Sequence, residues 1–188
     1  MSKMKKINLV LIAILISSIS FGQKYFTKNG KINFDATSPN SPEKVEAVNR
    51  TVTCVVDSKT GNIQFAVLMK GFEFEKALMQ EHFNENYVES DKFPKAEFKG
   101  LFGDNETVNY SKDGTYAVKV TGKLTIHGET QEVETNGKLI VQNGKINVTA
   151  DFNVILSDYR VSIPGLVADK VSKTAKISVA CQLELFKG

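Results

Sequence analysis

Residues 116–126 read YAVKVTGKLTI, and this stretch decides the fold class. Polar residues fill most of the positions between its larger apolar residues, which are Tyr116, Val118, Val120, Leu124 and Ile126. A period of two places one face of the backbone in a core and the other in water, as in antiparallel sheets. The stretch is therefore predicted to be a β-strand of an antiparallel sheet.

The same alternation recurs along most of the chain. It is strong over Lys145–Leu156 and Ile177–Leu185. It is weaker over five further stretches, which are Lys31–Ala36, Val45–Val56, Asn62–Lys70, Lys95–Phe102 and Thr130–Val141. With residues 116–126, these segments make eight predicted strands.

Turn residues separate many of these strands. Gly and Asn residues suited to tight hairpins occur at Thr60–Asn62, Asp113–Gly114, His127–Gly128 and Asn143–Gly144. Eight strands in such a meander can form a sandwich or a closed barrel. We favour the barrel, because closure removes exposed edges and leaves room for one small ligand. The predicted fold is all-β, an eight-stranded antiparallel β-barrel.

Two stretches interrupt the β pattern. Phe74–Tyr87 carries an apolar stripe at helical spacing, which predicts a short amphipathic helix that caps a barrel end or covers the sheet. Ser157–Lys173 is too long for a tight turn. It is either a functional loop or a packing loop that closes the barrel floor.

The N-terminus has the pattern of a secretory signal peptide. Lys3, Lys5 and Lys6 precede the apolar run Leu9–Ile16, and small residues follow it. The run is too short to span a bilayer, which needs about 20 residues. We predict a signal peptide over residues 1–22, cleaved before Gln23, and a barrel domain over 23–188 in the periplasm or outside the cell.

Charge argues against nucleic acid as a partner. Three of the 24 Lys and Arg residues lie in the predicted signal peptide, so the mature chain carries 21 residues of each sign. A chain of balanced charge offers no general attraction to a phosphate backbone. Since no later apolar run is long enough to span a bilayer, no membrane span is predicted either.

Two motifs resemble a known family. FPKAEF at residues 93–98 resembles the start of a strand in YceI-like proteins, and GKLTIHGET at 122–130 resembles their hairpin. The resemblance covers the chain from about Lys31 to the C-terminus. A "D-x-x-HS" segment of the family is missing near Lys31–Asp35, and SDYRV at 157–161 replaces "R-x-D-FG". The chain therefore resembles a divergent branch, in which head-group contacts do not carry over.

The resemblance implies a lipocalin-like barrel that carries an amphiphilic isoprenoid or other lipid-like molecule, such as an isoprenoid quinone, in its lumen. No other cofactor is expected. The predicted ligand contacts are Phe65, Val67, Met69, Phe98, Val118, Val120, Phe152, Val154, Tyr159 and Arg160. Arg160 and Lys92 are the candidates for meeting a charged head group. A second class of function, a filled barrel that acts through its outer surface, stays open.

Small residues on the predicted inward face bear on whether a cavity exists. They are Ala36, Gly100, Gly122, Gly137 and Ala150. Such positions can leave volume, which a ligand or a larger neighbouring side chain then fills. Alternatively, they let strands bend at barrel corners.

Residues suited to catalysis are few. His127 is expected to serve the geometry of its turn, and His82 has no neighbouring Cys or His with which to share a metal. No nucleophile elbow or phosphate loop occurs. We therefore predict no catalytic residue and no metal ligand, with a lipid-modifying enzyme as the weaker alternative.

Cys54 and Cys181 both fall on the apolar phase of their strands. An oxidising compartment permits a disulfide, and barrel closure brings early and late strands together. A bridge inside a packed barrel would strain the geometry, so two buried thiols fit equally well.

Overall fold

Antiparallel strands and one short helix make up residues 23–187, the part of the chain that this computed structural model describes. The strands are β1 (Lys24–Thr37), β2 (Glu46–Asp57), β3 (Asn62–Leu68), β4 (Phe72–Phe74), β5 (Lys95–Phe102), β6 (Gly114–Ile126), β7 (Glu129–Gln142), β8 (Lys145–Ile155) and β9 (Val171–Leu185). The helix α1 spans Ala77–His82. The predicted signal peptide, residues 1–22, lies outside the described residues.

The sheet closes on itself. Neighbouring strands follow the order β1, β9, β8, β7, β6, β5, β3, β2, and β2 pairs again with β1. All of these pairs are antiparallel. The three-residue strand β4 pairs only with the start of β2. The predicted eight-stranded antiparallel barrel is confirmed, with β4 as a small addition.

The predicted third strand is two elements. It ends at Leu68 rather than at Lys70, and a 3₁₀ turn over Met69–Gly71 leads into β4. The fully buried side chain of Asn49 accounts for the break. Its Nδ2 donates to the carbonyl of Leu68 at 2.9 Å, and its Oδ1 accepts from the backbone N–H of Thr51 at 2.9 Å. Asn49 therefore satisfies a carbonyl that would otherwise need a partner from the strand ladder.

The first strand and the helix also differ from the prediction. β1 begins at Lys24, seven residues before the predicted start at Lys31, because register shifts near Thr27 and Gly30 disturb the alternation. The predicted helix is shorter, since Phe74 belongs to β4 and the α-helix gives way to a π-helical turn over Phe83–Tyr87. Apolar spacing alone does not distinguish these backbone forms.

Two of the predicted turns are tight hairpins. His127 and Gly128 have φ of 51° and 78°, and Asn143 and Gly144 have φ of 51° and 74°. Positive φ at both central residues is what such two-residue turns require. The prediction of a tight turn at Asp113–Gly114 was wrong. Residues 103–113 form a longer connection with its own 3₁₀ turn, because Val108 and Tyr110 of that connection pack into the barrel.

The two ends of the barrel differ. One end, which we call the mouth, holds residues 38–45, the helical segment 75–94, the turn 127–128 and the loop 156–170. The other end, which we call the base, is packed with buried side chains. These include Tyr25, Val52, Val56, Phe102, Val108, Leu139, Ile146 and Leu183. The barrel is therefore filled at the base.

No helix within residues 23–187 has both the length and the apolar character needed to cross a membrane.

Candidate ligand cavity

A cavity of about 430 Å³ occupies the barrel between the mouth and the filled base. This volume lies in the range typical of small-molecule sites, about 300–1,000 Å³. The walls are mostly aliphatic and aromatic side chains. Burial raises the pKa of the Tyr87 and Tyr159 phenols in the wall, so both stay neutral at ordinary pH. The arrangement suits an apolar guest.

The structure brings most of the predicted contact residues together. Eight of the ten line the cavity, namely Phe65, Val67, Met69, Phe98, Val120, Phe152, Val154 and Tyr159. Val118 also points inward, but it is buried in the packing below the cavity and does not line it. Contact of these residues with a ligand stays a prediction.

Arg160 lies outside the cavity. Its side chain is 77% exposed, and its Nη1 is 3.0 Å from Glu129 Oε1. Arg160 follows the 3₁₀ turn Leu156–Tyr159 in a left-handed conformation with φ of 54°, which turns Tyr159 inward and Arg160 outward. Lys92 is also exposed, with its ammonium 4.8 Å from the ring centroid of Phe93. Neither cation lines the cavity.

The small inward residues have three different roles. Ala36 and Ala150 line the cavity. Gly100 and Gly122 face each other across β5 and β6, and the ring of Phe98 covers both. A Cβ atom would lie 2.6 Å from that ring at Gly100 and 2.7 Å at Gly122. At Gly137 a Cβ atom would be 2.9 Å from a backbone oxygen, so that strand approaches its neighbour closely. Only the two alanines leave space to a ligand.

An aromatic cluster joins the helical segment to the barrel wall. The ring of Phe83 lies 5.0 Å from Phe74, 5.6 Å from Phe72 and 5.8 Å from Phe34, measured between centroids. Such tilted and edge contacts stabilise aromatic pairs beyond the area they bury. All four rings line the cavity, so the helical segment forms part of its upper wall. The alternation in β1 could have indicated Phe34.

Charged side chains from three connections meet at the mouth. Lys76 Nζ lies 2.5 Å from Glu43 Oε1, and Lys170 is close enough to act on the same carboxylate. The hydrogen bond from Lys76 holds the pKa of Glu43 below its usual value, and the same bond raises the pKa of Lys76. All three residues line the cavity, and together they carry one net positive charge. Sequence reasoning missed this group because its members lie in separate loops.

His127 connects three segments around the mouth. Its Nε2 is 2.7 Å from Glu89 Oε2, and its Nδ1 is 3.1 Å from the carbonyl oxygen of Tyr159. The ring packs edge-on against Phe93 at 4.6 Å. His127 thus sits in the turn as predicted and also ties the turn to both neighbouring connections. The bond from His127 lowers the pKa of the Glu89 carboxyl.

Other candidate chemistry is sparse. His82 lines the mouth of the cavity. Within residues 23–187, no three His, Cys, Asp or Glu side chains are grouped so that they could hold a metal ion. Cys54 and Cys181 are buried free thiols in contact with each other, and burial raises the pKa of Cys54. Of the two alternatives for the cysteines, the structure has the pair of buried thiols.

Solved structures share this fold. A polyisoprenoid binding domain from Saccharophagus degradans, implicated in plant cell wall breakdown, superposes with a TM-score of 0.76 at 12% identity. The match covers 88% of this chain and 100% of that one. BcnA from Burkholderia cenocepacia gives a TM-score of 0.64 at 14% identity, over 82% of this chain and 95% of its own.

The YCEI protein of Campylobacter jejuni gives a TM-score of 0.56 at 14% identity, over 78% of this chain and 87% of its own. No curated protein matches the chain. The family model described as "YceI-like domain" matches residues 17–183, most of the chain. The protein therefore belongs to the family of YceI-like domains.

Proposed function

We propose that this protein is exported to the periplasm or beyond, and that it binds one amphiphile with an isoprenoid-type tail. The tail occupies the cavity and the polar head remains at the mouth. The single observation that carries the proposal is an apolar cavity, about 430 Å³ in volume, which is closed at the base and bordered by charge at the mouth. The protein acts as a carrier and not as an enzyme.

Burial of the tail supplies the affinity in this proposal. Each methylene removed from water contributes about 0.8 kcal/mol. Phe65, Val67 and Phe152 offer an apolar wall for such a tail. A strongly polar guest would lose its hydrogen bonds to water in this part of the barrel, where few partners could replace them. The cavity therefore favours aliphatic or prenyl chains.

The charged group at the mouth supports the second half of the proposal. Glu43, Lys76 and Lys170 lie where a head group would emerge from the cavity. Lysine ammonium groups can donate to phosphate, carboxylate or carbonyl oxygens, and the single net positive charge favours an anionic or polar neutral head. These residues take the place that sequence reasoning gave to Arg160 and Lys92.

The shared fold supports the ligand class. The Saccharophagus degradans domain, described as polyisoprenoid binding, has the same barrel. His127 is not expected to act as a catalyst in this proposal, because its two ring nitrogens both bond to protein atoms and its side chain is only 11% exposed. A histidine held in this way has no free nitrogen for a substrate.

The proposal is tested by identifying the molecule that copurifies with the protein. The protein is purified from its natural host, extracted with organic solvent, and the extract is analysed by mass spectrometry. We expect one dominant amphiphile. Ala150→Phe places a ring inside the cavity, and Asn153→Phe places the same ring on the exposed face of the same strand.

The Ala150→Phe protein should retain much less of the amphiphile than the Asn153→Phe control, because the new ring shortens the space for the tail. Equal recovery from both variants would show that the molecule binds elsewhere. No amphiphile from the wild-type protein, together with no binding of added prenyl alcohols, would reject the proposed function.

A further inference from the structure

The cavity ends abruptly within the barrel. Its deepest wall residues include Ile63, Val120 and Val148. In the sheet register, Val148 lies between Leu139 of β7 and Cys181 of β9, which are both buried and do not line the cavity. The inner face of the barrel thus changes from open to packed between adjacent positions. We call Ile63, Val120 and Val148 the floor.

The other two floor residues mark the same boundary. Ile63 pairs with Val56 of β2, which is fully buried in the packed base. Val118 precedes Val120 on the inward face of β6, one inward position nearer the base, and is packed as well. Because β2, β6, β7 and β9 all contribute bulk at this level, the floor closes most of the barrel cross-section.

The depth of the cavity follows from the strand geometry. Along β8 and its continuation the wall runs from Val148 to Leu156, eight residues apart. At about 3.4 Å per residue and a tilt of about 40°, this wall spans roughly 20 Å along the barrel axis. Carbon–carbon bonds of about 1.5 Å advance an extended chain by about 1.25 Å each. A straight chain of about 16 carbons fills this depth, and about 12 fit once side chains intrude.

We propose that the floor selects amphiphiles with short tails, of about 12 to 16 chain carbons or three to four isoprene units. This inference rests on the proposed function and adds a limit to it. Carbons beyond the limit stay at the mouth in water, where they bury no further surface. Affinity therefore rises with tail length up to the limit and then levels off.

The test measures affinity against tail length. n-Alkyl carboxylates and n-alkanols of 8 to 20 carbons are titrated calorimetrically into the delipidated wild-type protein, below their aggregation concentrations. The dissociation constant should fall by about fourfold per added methylene. The fall should stop at about 12 to 16 carbons.

Two variants on one strand locate the limit. Val148→Ala lowers the floor, and Val154→Ala makes the same change six residues nearer the mouth on the same inward face. The break in the length series should move to longer chains by about one or two carbons in Val148→Ala only. Ala150→Phe raises the floor and should shorten the limit by about four carbons, which gives a second reading if Val148→Ala folds poorly.

The outcomes separate the two proposals. The floor does not set the limit if affinity keeps rising to 20 carbons. The same conclusion holds if the tail length at which affinity levels off is unchanged by the substitutions at residues 148 and 150. In both cases the cavity still binds tails. If neither series binds at any length, the proposed function fails, and the limit with it.

Discussion

His127 Nε2 lies 2.7 Å from Glu89 Oε2, while Nδ1 of the same ring lies 3.1 Å from the carbonyl oxygen of Tyr159. One partner is a carboxylate and the other a backbone carbonyl, and both are hydrogen-bond acceptors. The three residues belong to the β6–β7 turn, the end of the helical segment and the loop after β8. The mouth is therefore held together by a bridge of two hydrogen bonds that join three separate segments.

The loss of thermal stability at acid pH should depend on this bridge. The folded-state pKa of Glu89 is lowered, so its stabilising contribution is full above the unfolded pKa of about 4.3 and is lost as pH falls below it. Glu89→Gln should therefore lose less Tm than wild type between pH 5 and pH 3. Thermal unfolding followed by circular dichroism measures this, with Glu132→Gln on the outer face of β7 as control. Parallel curves for wild type and Glu89→Gln would contradict the bridge.

Replacing the imidazole while keeping the turn should weaken the fold. Asn tolerates the positive φ that His127 adopts, so His127→Asn removes both bridging bonds without straining the hairpin. The free energy of unfolding in urea should drop measurably, because the Tyr159 carbonyl and Glu89 lose a hydrogen-bond partner and Phe93 loses its ring contact. A drop no larger than that of an outer-face substitution, such as Glu132→Ala on β7, would show that the ring contributes only turn geometry.

The glycine pair beneath Phe98 should not tolerate side chains. A Cβ atom on Gly122 would lie 2.5 Å from the Lys99 carbonyl and 2.6 Å from Gly100 Cα. Gly122→Ala should cost about 1–3 kcal/mol of unfolding free energy, as overpacked cores do. Gly165→Ala is the matched control, since a Cβ atom there meets nothing within 4 Å. Equal denaturation midpoints for the two variants would contradict the packing.

The two thiols should stay reduced and protected. Cys54 and Cys181 are both buried and form no disulfide in the structure, and burial raises the pKa of the Cys54 thiol, so little thiolate is available to react or to oxidise. Intact mass after iodoacetamide should show no label on the native protein and two labels after denaturation. If denatured protein takes up label only after reduction, a disulfide has formed.

Export should leave a defined N-terminus. If residues 1–22 are a signal peptide, protein recovered from the periplasm or medium of the host begins at Gln23. Mass spectrometry of the intact protein measures the cleavage site. Retention of residues 1–22, or recovery only from the cytoplasm, would contradict the prediction.

Local pattern was enough to predict most of the strands and their inward faces. The alternation in β6, β8 and β9 and the hairpins at His127–Gly128 and Asn143–Gly144 depend only on residues close in sequence. A period of two and a positive φ are properties of short segments, so they can be recognised without the rest of the molecule. The sequence by itself thus determined the antiparallel strands and most of their inward positions, and it favoured closure into a barrel, which the pairing of β1 with β2 confirmed.

Tertiary structure alone decided where that interior is empty. Val118 and Val120 lie two residues apart on the same face of β6, yet only Val120 lines the cavity. The difference depends on what β2, β7 and β9 place opposite each residue, and these strands are distant in sequence. The charged mouth arises in the same way, from Glu43, Lys76 and Lys170 on three connections. Periodicity records the direction of a side chain, whereas free volume and charge clusters depend on the neighbours that folding brings together.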